Sequence, residues 1–308
     1  MTEADAAEPA PRASAGQVHD LGYQRYVGPR RSPGTRWRVV ARQQIATAWK
    51  TWWRYKAGLG FAAVITCVFG ALMYFPTSNE AFRGMSVVAN PDTTLAMSTE
   101  WYCRIAFFMS LVLGAGTVAG DVQSGAFTFY FARSVRPRDY VLGKVAGYGV
   151  LVASIAIVGP LLLALLRLGI SDTTDELVEH VKMVPHAVEL GLVIAIPYTM
   201  VPLGFSALAS DRRTALALWA TYYLVFGTVV GLIGRFSGGS IAAFDLPTAC
   251  LAIAFDLFDA HPLFGRRAAR SLPLWAAVIS LALHALVAGI ILWVRVSRAQ
   301  KRGVGGAG

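Results

Sequence analysis

GDVQSGAFTFYFARSVRPRDYVLGK, residues 120–144, joins two long apolar runs, and the rest of the chain is read outward from it. It carries six full charges, Asp121, Arg133, Arg136, Arg138, Asp139 and Lys144, around an aromatic patch from Gly125 to Phe131. The patch has the length of a short helix or turn and is too small to cross a bilayer. Composition leaves two readings of it open. Either the aromatics rest among lipid headgroups, as such residues do at membrane edges, or they form a docking surface for another protein.

The flanking runs settle the fold class. The chain has 308 residues, 55% hydrophobic and 15% charged, whereas a soluble domain carries about 25% charged residues. Apolar stretches recur at 57–76, 103–120, 141–166, 187–209, 214–234 and 272–296, each near the ~20 residues a helix needs to cross hydrocarbon. The expected fold is all-α integral membrane, with six transmembrane helices. The net charge of +10 sits beside these runs. That is the pattern that orients a membrane protein, not a basic face for nucleic acid, so no nucleic-acid partner is expected.

Charge alternates between connectors. The amino-terminal flank is basic, and the 77–102 connector sets Glu80, Asp92 and Glu100 against Arg83. The 120–144 loop is basic, and the 167–186 connector is acidic on balance through Asp172, Asp175, Glu176 and Glu179. The turn at Asp211, Arg212 and Arg213 is basic, as is the end with Arg295, Arg298, Lys301 and Arg302. This alternation places both termini and the 120–144 loop in the cytoplasm, with the chain in the cell (inner) membrane.

Residues 1–35, rich in Ala, Pro, Gly and Arg, read as a disordered cytoplasmic tail, and 301–308 as a flexible tail; 36–300 is the membrane domain. RWRVVARQQIATAWKTWWRYK, residues 36–56, has helical period. Trp37, Ala41, Ile45, Ala48, Trp49 and Trp52 fall on one side and Arg36, Lys50 and Arg54 opposite, which predicts an interfacial helix resting on membrane lipid. IAAFDLPTACLAIAFDLFDA, residues 241–260, is apolar but broken by Asp245, Pro247, Asp256 and Asp259. Buried carboxylates oppose a full crossing, so 235–271 is expected to be an outer hairpin between helices 5 and 6, re-entrant or interfacial.

Catalytic signatures are missing. Gly143-Lys144 is followed by Val145, with Arg138 where a phosphate loop needs its first glycine. There is no HExxH, no GxSxG and no Cys/His cluster at metal spacing. Cys67, Cys103 and Cys250 form no paired framework. No catalytic residue, metal site or cofactor is expected in this chain. His284 lies mid-span, either as a hydrogen-bonding partner to a neighbouring helix or as a functional ionisable group. Gly143 and Gly147, and Gly227 and Gly231, form GxxxG faces suited to close helix approach. The second pair either joins two protomers or packs within one.

Gly120-Asp121, Ser124-Gly125, Arg133 and Arg138-Asp139-Tyr140-Val141-Leu142-Gly143-Lys144 together resemble the loop between helices two and three in ABC transporter permeases of the type-2 exporter class. The chain departs from that pattern at Asp121, where glutamate is commoner, at Ala126, where threonine often stands, and at Ser134 in place of proline. The resemblance implies a membrane-spanning permease subunit of an exporter, not itself an enzyme, with ATP hydrolysis on a separate ATPase chain. It implies a homodimer, or a heterodimer with a similar permease. The loop would be a coupling helix docking through Phe127, Phe129, Tyr130 and Arg133, with Asp121 and Gly125 shaping its turn and Arg138 and Lys144 completing the ATPase-coupling set. The alternatives are a polytopic scaffold and a secondary transporter. The latter would be expected to show internal repeats, and spans 1–3 and 4–6 show no clear one.

Overall fold

In the computed structural model, which describes residues 33–50, 52–78, 90–132, 135–237, 240–260 and 267–305, every regular element is helical. Six segments are long and apolar enough to cross a membrane: Trp53–Pro76, Pro91–Gln123, Pro137–Gly169, Thr174–Leu208, Arg212–Phe236 and Leu274–Lys301. The tail read over 1–35 falls on residues outside those described, apart from a 3-10 turn at Pro33–Thr35.

The helices in order are α1 (Arg36–Lys50), α2 (Trp52–Ser78), α3 (Pro91–Met109), α4 (Thr117–Gln123), α5 (Ala126–Ala132), α6 (Pro137–Gly169) and α7 (Thr174–His180). Then follow α8 (Met183–Leu208), α9 (Arg212–Thr221), α10 (Gly227–Ser237), α11 (Leu246–Leu257), α12 (Arg267–Ser271) and α13 (Leu274–Gly305). A π turn at Ser110–Gly114 continues α3, and another at Tyr222–Phe226 links α9 to α10.

Helices α6 and α8 form the centre. Helix α6 packs on α1, α2, α3 and α8, while α8 packs on α6, α9, α11 and α13. Their backbones touch at Gly191, where a Cβ would stand 2.7 Å from the Ile157 Cα; small residues permit such approaches between membrane helices. The outer surface is apolar as well, with Phe61, Val64, Val150, Val158, Leu286 and Ile290 all substantially exposed. In water that surface would drive aggregation; against lipid chains it is the matching solvent.

Two boundaries differ from the sequence reading. Helix α3 starts at Pro91, not near 103, because Asn90 caps it: its Oδ1 accepts from the Asp92 N–H at 2.9 Å, with proline at the first helical position. Thr93, Thr94, Ser98 and Thr99 looked like connector but are buried against neighbouring helices. Helix α13 runs past 296 to Gly305, including 301–305, which read as flexible tail. No helix-breaking residue intervenes before Gly303. Residues 306–308 lie outside those described.

The segment between α10 and α13 is where an outer hairpin was expected. It contains a 3-10 turn at Ser240–Phe244, then α11 and α12. At 12 residues, α11 is about 18 Å long, short of the ~30 Å hydrocarbon core. Ala249, Cys250, Leu251, Ile253 and Phe255 are nevertheless buried, and α11 packs on α3, α8 and α13. It is therefore covered by protein on several sides. Cys103 and Cys250 are both buried and free.

Candidate functional site

The 120–144 loop folds into a short helical hairpin whose ends are tied together. Helix α4 begins with N–H groups that have no partner within the helix. Those of Val118 and Ala119 donate to the Ser206 Oγ of α8, each at 3.0 Å. The chain then turns at Gly125, whose φ of +66° is left-handed. Space around Gly125 is open, so the turn and not packing demands glycine there.

Helix α5 turns Phe127 inward. Its ring stacks on Phe131 at 5.6 Å and meets Tyr140 edge-on at 5.2 Å, while Tyr130 meets Tyr140 edge-on at 5.4 Å. The four-residue step from Phe127 to Phe131 puts both rings on one face of the helix. Burial and the neighbouring Asp121 carboxylate push the Tyr130 phenol up from its ordinary value.

Helix α6 opens with Pro137, and the Asp139 Oδ2 accepts from the Arg136 N–H at 3.2 Å, closing the helix start. One turn further in, the Tyr140 hydroxyl donates to Asp121 Oδ2 at 2.6 Å, and Lys144 Nζ lies 2.8 Å from the same oxygen. Lys144 Nζ also sits 5.4 Å from the centre of the Tyr140 ring. Asp121 on one arm and the i, i+4 pair Tyr140 and Lys144 on the other thus close the loop with a mostly buried ion pair.

The other side of this end of α6 seats α1. A Cβ on Gly143 would stand 2.5 Å from the Val40 Cβ, and one on Gly147 would stand 2.9 Å from the Ala41 Cα. Ala41 and Ala48 are buried, and Trp37 and Ile45 are half-buried. Trp49 is 54% exposed, with Lys56 Nζ 5.1 Å from its ring centre. The apolar side read from the sequence is therefore split: Ala41 meets α6, while Trp49 stays largely exposed with its ring 6.0 Å from that of Tyr55. The Trp52 side chain lies outside the described residues.

A family model described as ABC-2 family transporter protein matches residues 58–290. The chain belongs to this family. It is the permease component of an ABC transporter, a multi-pass membrane protein. A search of curated proteins returns no match.

Within this ABC-2 permease, the predicted coupling residues have unlike environments. Phe127 is buried, and Asp121, Tyr130 and Lys144 are tied into the knot, whereas Phe129 is 73% exposed and Arg138 points to solvent. Arg133 lies outside the described residues. Beside the hairpin, the Arg212 stem crosses Gly116, where a Cβ would stand 2.5 Å from Arg212 Cγ. Asp211 caps α9 by accepting from the Thr214 N–H at 3.0 Å, and its hydrogen bonds to Thr214 hold its carboxyl below the ordinary range.

Gly227 and Gly231 face a carboxylate of the same chain. A Cβ on Gly227 would stand 2.8 Å from Asp245 Oδ1, and one on Gly231 3.5 Å from Oδ2. Burial raises the Asp245 carboxyl to about 6, against the lowering effect of its hydrogen bonds to Thr248. His284 bridges two spans: its Nδ1–H donates to the Ser280 carbonyl at 2.6 Å, and its Nε2 accepts from the Tyr222 hydroxyl. Sequence reasoning did not find the support from Ser206 or the contact of Gly143 and Gly147 with α1. A GxxxG directly after a helix cap was the available signal for the second, while the serine on α8 left none.

Proposed function

We propose that this ABC-2 permease is the membrane half of an ATP-driven exporter and that its α4–α5 hairpin docks on a separate ATPase chain. The observation that carries this is Phe129, 73% exposed at the crest of a loop whose Phe127, Tyr130, Phe131 and Tyr140 rings pack on one another. A ring presented on a braced support suits a protein pocket, because little ordering entropy is lost on docking. Force on it reaches α6 directly through Tyr140 and Lys144, so closure of an ATPase dimer would shift the spans between two states. The basic connectors support an inner-membrane protein with both termini cytoplasmic, working as two copies or with a similar permease.

The test is co-purification of the ATPase with the tagged permease. Phe129→Ala combined with Arg133→Glu should insert and keep its thermal midpoint, yet bind the ATPase at least about 30-fold more weakly, as expected for loss of a hot-spot residue. Phe127→Ala should instead cost about 3–4 kcal/mol of fold stability. Recovery of the ATPase at wild-type yield with the Phe129/Arg133 variant, or labelling of a Phe129→Cys residue from outside the cell, would sink the proposal.

A further inference from the structure

Next to the hairpin, a groove of about 630 Å³ opens between α4–α5, the end of α8 and the last turns of α13. Its floor is apolar, with Phe127, Leu208, Ile290 and Val294, and its rim holds Arg295 and Arg298. Among the described residues no carboxylate lines it. Arg295 is half-buried and Arg298 exposed, and neither has an ion-pair partner among the described residues.

The order of these residues along α13 is informative. From Ile290 to Arg298 the helix rises about 12 Å, at 1.5 Å per residue. Over that distance the lining passes from aliphatic to cationic, as a membrane lipid passes from acyl chain to phosphate. Ile290 and Trp293 on the same helix are exposed on the apolar outer surface, so a lipid chain has a lateral way in. A peptide would leave polar backbone groups against this aliphatic floor, whereas a phospholipid matches both floor and rim. Basic pockets between membrane helices recognise anionic headgroups on this principle.

We propose that the groove binds one anionic phospholipid, its phosphate held by Arg295 and Arg298 and its upper acyl chain lying on Ile290, Val294 and Leu208. The lipid wedges between the coupling hairpin and the last span, touching Phe127 on the face opposite Phe129. This does not depend on the ATPase, because the lipid site is complete within one chain.

The experiment is native mass spectrometry of the full-length protein, delipidated in detergent and titrated with phosphatidylglycerol or phosphatidylcholine of identical chains. Each arginine should contribute about fivefold, hence about a 25-fold preference for phosphatidylglycerol. Arg295→Gln with Arg298→Gln should bring the two lipids to parity, while Lys50→Gln with Arg54→Gln, at the other basic membrane edge, should leave the preference intact. Equal binding of both lipids by the wild type overturns the proposal, as does a preference that survives in the Arg295/Arg298 variant. Displacement by millimolar glycerol 3-phosphate as effective as by the lipid also overturns it, assigning a free-phosphate site. A second copy of the chain bound in place of lipid does so too.

Discussion

Replacing Asp121 by asparagine removes the charge at the centre of the hairpin without changing its volume. The Asp121 carboxylate and Lys144 ammonium are 2.8 Å apart, with side chains only 19% and 11% exposed. At an effective dielectric of about 20 their attraction is ~6 kcal/mol, and desolvation of both groups offsets a large part of it. In Asp121→Asn a mostly buried ammonium loses its counter-charge, and the Tyr140 hydroxyl loses an ionic acceptor. A cost of about 3 kcal/mol follows, at the low end for a broken buried pair. Lys144→Met leaves Asp121 with its Tyr140 hydrogen bond and should cost about 2 kcal/mol. The double variant should also cost about 3 kcal/mol, giving a coupling energy near 2 kcal/mol. Equilibrium unfolding in mixed dodecylmaltoside–SDS micelles, followed by tryptophan fluorescence, measures all four corners of the cycle. Costs that add within about 0.5 kcal/mol would mean that the two residues act independently and would refute the ion pair as the clasp of the loop.

Gly143→Ala should separate α1 from α6, because its Cβ would meet Val40 at 2.5 Å and the Trp37 carbonyl at 2.8 Å. Overpacking of this kind costs about 1–3 kcal/mol. Gly120→Ala, with nothing within 4 Å of the added Cβ, should be neutral or stabilising by about 0.5–1 kcal/mol, read from the same unfolding curves. The Asp245 carboxyl, raised to about 6 by burial, binds its proton more tightly in the folded than in the unfolded state. Stability should therefore rise as pH falls through about 6 and level off below the unfolded value of about 4. A thermal midpoint that stays flat between pH 7.5 and 5, or an Asp245→Asn variant that keeps the wild-type pH slope, would contradict this.

Much of the architecture could be read from hydropathy, because a hydrocarbon solvent demands runs of fixed length and leaves few alternatives. The hairpin helix was legible for a related reason: the aromatic patch from Gly125 to Phe131 is bounded by a glycine that allows the turn. Less legible was anything that depends on which polar groups face protein instead of water. Thr93, Thr94, Ser98 and Thr99 read as connector but are packed inside α3's contacts, since periodicity alone cannot distinguish a buried threonine from a solvated one. The same limit hid the roles within the loop. Phe127 and Phe129 are both phenylalanines, two positions apart, and only the placement of Tyr140 makes one a strut and the other an exposed crest. Asp121 and Lys144 stand at opposite ends of the loop, and their pairing needed the turn at Gly125 to be closed in space.

The lower end of α6 is gripped from two sides, by α1 at Gly143 and Gly147 and by the hairpin at Tyr140 and Lys144. Of the 33 residues of α6, the 22 after Gly147 run beyond that grip, about 33 Å of helix. A pivot of about 5° at the clamped base would carry the far tip sideways by roughly 3 Å, since displacement scales with the length of the arm. The distal tip carries Arg167, which reaches His180 on α7 at 3.0 Å. Under the proposed docking, a modest tug at one membrane face would be carried along α6, past the Pro160 inside it, to the other face.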